Sequence, residues 1–463
     1  MEKINLKKAS TYYMIGNLFN KGMSFLTVPI FTTLLETDEY GVVVNYNGYL
    51  SILTMVMGLA IYMGIRAAFI DYKDKIDDFM AVSTTFTITS GIVISLGAII
   101  ILGFMGPKIS IALVIVCLIQ GIASALMQNY IMYLMMKYRY KFRTALMILP
   151  NLISVIISVI VIYFFMNNRL YLGRIIPTAA VQILFALITV VLVYKKSKVY
   201  FNKEYLVYGL KISAPLVVHG IGLYILSTSD RNMISSLRND SETGIYGVIY
   251  NFGTIATAIT TALDGVWIPW FTERLKNKEQ DKINEVVKGY INIITYAMMG
   301  VILVGPEVVK LLARKPQYWE GISIIPPIVL ANYICFAYSL YVNIEHYHKK
   351  TLYVTINTII AACSNLILNF IFIPKYGYVA AAYTTLVSYF IAFVLHSIYA
   401  KKLENLYPFK TFILPILELT AATVLFYVLM DQWYIRWPMI MAFVGVMLYV
   451  DREKCSMFLP FGK

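Results

Sequence analysis

Long apolar runs constrain this chain more than any other feature of its sequence. A helix needs about 20 mostly apolar residues to cross a bilayer. The chain has 463 residues, of which 59% are hydrophobic and 14% are charged, whereas a soluble domain is about half apolar and a quarter charged. The sequence therefore predicts an all-α polytopic membrane protein with about 14 transmembrane helices. The predicted spans are residues 11–34, 41–64, 80–105, 109–135, 144–166, 173–194, 207–229, 244–270, 287–311, 321–344, 351–373, 378–400, 409–430 and 434–450.

The placement of basic residues predicts the orientation in the membrane. Lys and Arg are concentrated in every second loop, for example at Lys137, Arg139, Lys141 and Arg143 after the fourth span. Cytoplasmic loops carry such an excess, so we expect both ends of the chain on the cytoplasmic side. The net charge of +14 follows this loop pattern and forms no basic stripe with nucleic-acid motifs, so we expect no nucleic-acid partner.

One ten-residue pattern occurs twice. Residues 36–45 and 242–251 share the letters E-T-x-x-Y-G-V-x-x-N, and each copy leads from a predicted outward turn into the next span. This predicts two six-helix lobes related as a parallel pseudo-two-fold repeat, plus two extra C-terminal helices. The alternative is an accidental match of two turn-then-helix segments. The predicted regions are an N-lobe (1–194), a cytoplasmic linker (195–206), a C-lobe (207–400) and a last helix pair with a cytoplasmic tail (401–463).

The first span carries a polar stripe. Asn17, Asn20, Lys21 and Ser24 have the i, i+3, i+4, i+7 spacing that places side chains on one helix face. A charge inside the bilayer costs a few kcal/mol and usually faces a cavity. We interpret the stripe as the cationic lining of a central substrate cavity. The alternative for Lys21 is a structural pairing with a buried carboxylate.

Four further residues are candidate substrate contacts in later spans. They are Asn47, Lys211, His219 and Asn251. Polar side chains in the hydrocarbon region face either a cavity or a neighbouring helix. A packing role for His219 is therefore the open alternative to a cavity role.

Three charged residues are candidates for ion coupling or gating. Asp230 and Arg231 lie near the outward end of the seventh span, and Asp264 lies on the eighth. Ionisable groups at such positions often mark ion pathways. The alternative for Asp230 and Arg231 is a structural ion pair. Asn365 and Asn369, four residues apart, are interpreted as helix-packing residues.

No enzyme motif is present in the sequence. It contains no Walker A or G-x-S-x-G pattern, and the four cysteines lack metal-ligand spacing. We therefore expect no catalytic residue, no metal site and no cofactor. Glu345, at a helix end, is interpreted as an interfacial anchor.

Several motifs resemble those of Wzx-type polysaccharide flippases. At the start of the second half these are Ser213-Ala214-Pro215, Ser229-Asp230-Arg231 and Gly244-Ile245-Tyr246. Near the far end, residues 365–382 resemble the N-x-x-x-N, I-P and G-x-x-G-A-A pattern of that family, with Ala380 in place of the second glycine.

The resemblance implies membership in the superfamily that contains multidrug extruders, lipid II flippases and oligosaccharide-lipid flippases. It implies alternating-access transfer of undecaprenyl-pyrophosphate-linked oligosaccharide across the bacterial inner membrane, for O-antigen or capsule synthesis. Drug extruders of this fold use an acidic residue in the first lobe, whereas this chain offers Lys21, which favours an anionic substrate. Coupling to H+, Na+ or the membrane potential stays open, as do a glycan polymerase and a chain-length regulator as partners. The alternatives are a cation-coupled multidrug extruder and a membrane glycan polymerase or ligase.

Overall fold

The computed structural model describes residues 6–105 and 110–450, and this part of the chain consists of helices and connecting turns. Short 3-10 helices at Lys73–Lys75, Pro316–Ile324 and Phe409–Phe412 precede three of the α-helices. The α-helices are α1 (Leu6–Leu34), α2 (Thr37–Gly58), α3 (Tyr62–Asp71), α4 (Ile76–Met105), α5 (Ile111–Met136), α6 (Tyr140–Phe165), α7 (Leu170–Lys196), α8 (Lys203–Leu237), α9 (Asp240–Lys276), α10 (Gln280–Leu312), α11 (Ile325–Tyr347), α12 (Thr351–Leu403), α13 (Ile413–Val428) and α14 (Trp433–Val450).

Every predicted span coincides with helix, with two differences in detail. The second span is divided into α2 and α3 at Leu59 and Ala60, which have positive φ angles of 41° and 48°. The eleventh and twelfth spans form the single long helix α12, which is bent at Gly377. Among the described residues, nine helical segments are long and apolar enough to cross a membrane: α2 with α3, α4 to α7, and α10 to α13. The protein is therefore an all-helical multi-pass membrane protein, while the count of 14 spans and the orientation stay predictions.

The chain divides into two compact units, Met1–Tyr224 and Ile225–Lys463. In the amino-terminal unit a buried cluster around Ile65, Phe79 and Tyr133 joins α3, α4 and α5. A β-carbon added at Gly64 of α3 would lie 2.8 Å from the Gly209 Cα of α8. Glycine therefore allows these two backbones to touch, as small residues do between membrane helices.

The carboxy-terminal unit has a larger buried core, centred on α10 and α11. Tyr290, Ile294, Ile325 and Leu340 all contribute fully buried side chains to it. At its edge the buried guanidinium of Arg436 donates to the carbonyl oxygens of Leu429 and Met430 at 3.1 and 2.9 Å and forms an ion pair with Glu307. The ion pair connects α14 to α10. Arg436 also provides hydrogen-bond donors for two carbonyl groups just after the end of α13.

A sharp backbone break divides α12 into two arms. Gly377 has φ 62° and ψ −149°, a combination essentially confined to glycine. The Tyr378 N–H, which begins the second arm, donates to Glu242 Oε2 at 3.0 Å. Arg238 holds that carboxylate at 2.9 Å through its Nε. The first residue of the second repeat copy therefore caps a helix arm more than a hundred residues away in sequence.

A carboxylate caps a helix in the amino-terminal unit as well. Glu39, within the first repeat copy, accepts a hydrogen bond at 2.6 Å from the backbone N–H of Leu170, the first residue of α7. Free N–H groups at a helix start favour a negative charge. Both repeat copies thus begin a helix and supply an acid to the start of another.

Replacing Gly377 by Ala should destabilise the carboxy-terminal unit. Its β-carbon would lie 2.3 Å from Glu242 Oε2, and a side chain in this backbone region costs about 1–3 kcal/mol. We expect a lower apparent unfolding temperature for purified protein in detergent. Gly300→Ala is the matched control because nothing lies within 4 Å of its added β-carbon. Equal unfolding temperatures for the two variants would contradict the strain at Gly377.

Candidate functional site

Asp230 lies at the centre of a buried polar cluster in the carboxy-terminal unit. It is on α8 and is 1% exposed. Its Oδ2 accepts hydrogen bonds from the hydroxyls of Tyr246 at 2.8 Å and Thr385 at 2.6 Å. Its Oδ1 accepts one from the Asn369 amide at 2.7 Å. Three neutral donors thus hold the two oxygens of this carboxyl group.

The two arms of α12 supply most of these donors. Asn365 and Asn369 lie on one face of the first arm, and the Asn369 amide also donates to Asn365 Oδ1 at 3.1 Å. Thr384 and Thr385 lie on the second arm. Thr384 donates to Asn369 Oδ1, and Thr385 Oγ1 accepts from Asn365 at 3.3 Å. The Gly377 break makes this pairing geometrically possible because it turns the second arm back towards the first. The members of this Asp230 cluster are Asp230, Tyr246, Asn365, Asn369, Thr384 and Thr385.

Arg231 does not pair with its neighbour Asp230. Its guanidinium lies over the ring of Tyr250, at 4.1 Å from the centroid, in a cation–π contact. Successive residues on a helix point in directions about 100° apart, which separates the two side chains. Among the described residues, no Lys, Arg or His forms an ion pair with Asp230. The cluster is therefore a buried oxygen-rich site in which no described cation pairs with the Asp230 carboxyl group.

Asp264 lies in a separate setting on α9. It accepts a hydrogen bond from the Tyr290 hydroxyl at 2.7 Å, and the Tyr290 ring stacks on Trp267 with centroids 4.8 Å apart. Within the described part of the chain, no hydrogen bond connects Asp264 to the Asp230 cluster. The three residues predicted for coupling or gating thus occupy three different environments.

The residues predicted for substrate binding are only partly described. Asn17, Asn20, Lys21 and Ser24 belong to α1 and His219 to α8, and the side chains of all five lie outside the described residues. Asn47 is exposed on α2, Lys211 is exposed on α8 and Asn251 is half-buried on α9. Their grouping around one cavity stays a prediction.

Sequence reasoning missed most partners of Asp230. Tyr246 appears in the repeat and in the Gly244-Ile245-Tyr246 motif without a predicted role, and no role is predicted for either threonine. Asn365 and Asn369 carried the usable signal, because two amides at i, i+4 spacing within a span need polar partners on a facing helix. An intramembrane aspartate is one such partner, and the structure supplies Asp230.

Comparison with known proteins decides the family. A family model described as "Polysaccharide biosynthesis protein" matches residues 6–275. The chain belongs to this family. Lsg locus putative protein 1 of Haemophilus influenzae is 24% identical over 282 residues, which cover 59% of this chain and 67% of that protein. This confirms the family that the sequence motifs indicated.

Solved transporters share the fold of this polysaccharide biosynthesis protein. The lipid II flippase MurJ, in an inward closed conformation, superimposes with a TM-score of 0.69 at 16% identity over 96% of this chain and 99% of that chain. An inward-facing multidrug resistance MATE family transporter of the MOP superfamily superimposes with a TM-score of 0.58 at 13% identity over 86% and 99%. These likenesses show that the chain has the fold of these transporters.

Tyr246→Phe should destabilise the protein by about 1–3 kcal/mol because it removes a buried hydrogen bond and leaves one oxygen of the Asp230 carboxyl group with one donor fewer. Tyr250→Phe is the matched control, one helical turn along α9. It keeps the ring beneath Arg231 and removes a hydroxyl for which the described residues provide no hydrogen bond, so we expect a change within about 0.5 kcal/mol. Thermal unfolding of both variants in one detergent tests this. Equal losses of stability would contradict a stabilising hydrogen bond from Tyr246 to the Asp230 carboxyl group.

Proposed function

We propose that this protein is a flippase for undecaprenyl-pyrophosphate-linked oligosaccharide. It transfers the lipid from the cytoplasmic to the outer leaflet of the bacterial inner membrane, for O-antigen or capsule synthesis. The observation that carries the proposal is the polysaccharide biosynthesis family match over residues 6–275. The MurJ-like fold supports it, because the solved neighbour is itself described as a lipid flippase.

The charge of the first span supports an anionic headgroup. Lys21, with Asn17, Asn20 and Ser24 on the same helix face, combines a cation with hydrogen-bonding groups. Hydrogen bonds from a charged lysine to phosphate oxygens are stronger than those between neutral groups. In this proposal Lys21 binds the pyrophosphate, and the amides and hydroxyl contact polar groups of the headgroup while the prenyl chain stays in lipid.

The proposed mechanism is alternating access, as in other transporters that are built from two repeated halves. The N-lobe and C-lobe rock against each other around a polar cavity, as parallel repeats do in other transporter folds. The membrane potential favours outward movement of an anion by about 2.3 kcal/mol per charge per 100 mV. Two net negative charges would gain roughly 4–5 kcal/mol per 100 mV, provided that no counter-ion moves with them.

The Asp230 cluster is the proposed coupling site. Carboxylate, amide and hydroxyl oxygens are the ligands of hard cations, and a buried carboxylate is also a proton acceptor. Arg231 and Asp264 lie on α8 and α9 with the cluster members Asp230 and Tyr246 and are proposed to gate it. A glycan polymerase and a chain-length regulator are the proposed partners in the membrane.

Replacing Lys21 by Ala should abolish flipping without loss of protein from the membrane, because the pyrophosphate loses its cation. Lys21→Arg should retain part of the activity. The measurement is surface polysaccharide restored in a flippase-deficient strain, alongside the amount of protein in the membrane. Lys198→Ala is the control, since Lys198 is exposed in the connection after α7. Normal surface polysaccharide with Lys21→Ala would contradict the assignment.

Asp230→Asn should remove the dependence of flipping on an imposed ion gradient, because it removes the buried charge that a cation or proton would neutralise. The measurement is lipid-linked oligosaccharide flipping in proteoliposomes under separate Na+, pH and potential gradients. Glu279→Gln is the control, because Glu279 forms partly exposed ion pairs with Arg274 at 3.1 Å and with Lys282 at 3.7 Å and none of these residues belongs to the Asp230 cluster. The coupling role is wrong if Asp230→Asn responds to every gradient as the wild type does.

The rival functions predict different results in the same experiments. A multidrug extruder, suggested by the MATE-like fold, would confer drug resistance when overproduced and leave surface polysaccharide unchanged. A polymerase or ligase would change glycan chain length in the absence of any flipping. Lys21→Ala separates these outcomes, because only the flippase requires a cation in the first span.

A further inference from the structure

A second acid lies deep in the carboxy-terminal unit with a histidine as its partner. Glu345 is in the last turn of α11 and His396 is on the second arm of α12. Glu345 Oε2 and His396 Nδ1 are 2.8 Å apart, and both side chains are 0% exposed. The Tyr338 ring stacks on the imidazole with centroids 5.4 Å apart, which closes that face of the ring to water.

Two of the four polar side-chain atoms in this pair make no hydrogen bond with a described residue. Glu345 Oε1 and His396 Nε2 are both buried without a hydrogen bond among the described residues. A buried unsatisfied polar atom is costly and rare in folded proteins. A pair kept only for packing would be expected to satisfy these atoms or to lack them.

The position of Glu345 makes its negative charge still less favourable. The C-terminal end of a helix carries the negative pole of the helix dipole, and α11 ends at Tyr347, two residues later. A carboxylate there gains nothing from the helix. It is stabilised by the histidine, provided that the pair holds one proton.

We propose that Glu345 and His396 form a proton-binding site that exchanges its proton with the cytoplasm during the transport cycle. With one proton the pair is neutral overall, whichever partner carries it. Without that proton a negative charge is buried, and with a second one a positive charge is buried, and either state is strongly disfavoured. Proton exchange therefore requires this corner of the unit to open.

The surroundings leave a short route to water. His346 follows Glu345 directly and is exposed, as are Lys349 and Lys350 in the next turn. This turn is on the cytoplasmic side in the predicted orientation. Ionisable side chains that act on the pair from α11 and α12 are His346, Tyr338 and Tyr399.

The chain contains a matched pair that is open to solvent. His348 Nε2 and Glu404 Oε1 are 2.9 Å apart, but their side chains are 30% and 17% exposed. Glu404 also accepts a hydrogen bond from the Gln280 amide at 2.6 Å. Water reaches this partly exposed pair without any opening of the structure, so it serves as the control.

Nitrogen-15 NMR of histidine-labelled protein in nanodiscs tests the site directly, since the chain has only four histidines. His396→Asn assigns the His396 resonance. We expect that resonance to keep one chemical shift from about pH 5 to 8, because a gained or lost proton would bury a charge, and to move in Glu345→Gln, which removes the partner that shares the proton. Glu404→Gln should leave the His396 resonance as in the wild type. A wild-type His396 resonance that follows pH as an exposed histidine does, or one that is identical in Glu345→Gln, would overturn the proposal.

The coupling role rests on the proposed flippase function and has its own measurement. Flipping in proteoliposomes should depend on pH in the wild type, in His348→Asn and in Glu404→Gln. This dependence should be lost in Glu345→Gln and in His396→Asn. A wild-type pH profile in both of these buried-pair variants would overturn proton exchange during transport.

The two assays fail in different ways. If no variant and no wild-type protein moves lipid-linked oligosaccharide, the proposed substrate is wrong while the NMR titration still decides the proton site. If Glu345→Gln does not fold, the double variant Glu345→Gln/His396→Asn replaces it in the flipping assay, where the loss of pH dependence is expected again, because removing both buried ionisable groups leaves no uncompensated charge. Unchanged resonances of the other three histidines confirm its fold.

Discussion

The first N–H groups of a helix have no partner within that helix, and hydrocarbon offers none, so a helix that begins at the edge of a membrane depends on acceptors from the protein. The second arm of α12 begins at the Gly377 break, and the Glu242 carboxylate accepts a hydrogen bond from Tyr378 N–H there. In the other unit Glu39 does the same for the first N–H of α7. The repeated E-T-x-x-Y-G pattern therefore marks helix starts that carry a capping acid, although the acid is the first residue of one copy and the fourth of the other.

The Asp230 cluster depends on this cap. Thr384 contacts Asn369, fifteen residues earlier, and a straight helix would hold those residues more than 20 Å apart at 1.5 Å per residue. The break at Gly377 brings the two arms together, and α8 then packs Asp230 against both of them. A helix-capping interaction at the end of the span thus positions a buried carboxylate several turns away.

The helices could be predicted from sequence because an apolar run long enough to cross a bilayer must satisfy its own backbone hydrogen bonds, and a helix does so. The division of the second span could not be predicted, because the residues with positive φ angles, Leu59 and Ala60, are not glycines. Asp230 could be recognised as an intramembrane charge, whereas its donors lie up to 155 residues away. Periodicity reports only which residues share a helix face, so contacts between helices far apart in sequence stay hidden from it. The interpretation of Glu345 as an interfacial anchor was wrong for the same reason, because its partner His396 is 51 residues away and both side chains are buried.

Two buried acids of the same unit are stabilised in opposite ways. Asp230 accepts hydrogen bonds from three neutral groups, so both of its oxygens have donors. Glu345 contacts the His396 imidazole through one oxygen, and its other oxygen makes no hydrogen bond with a described residue. The pair therefore avoids a buried charge only while it holds one proton. The separate roles proposed for the two sites rest on this difference, because hydrogen-bond donors surround one carboxyl group and a base that can carry a proton faces the other.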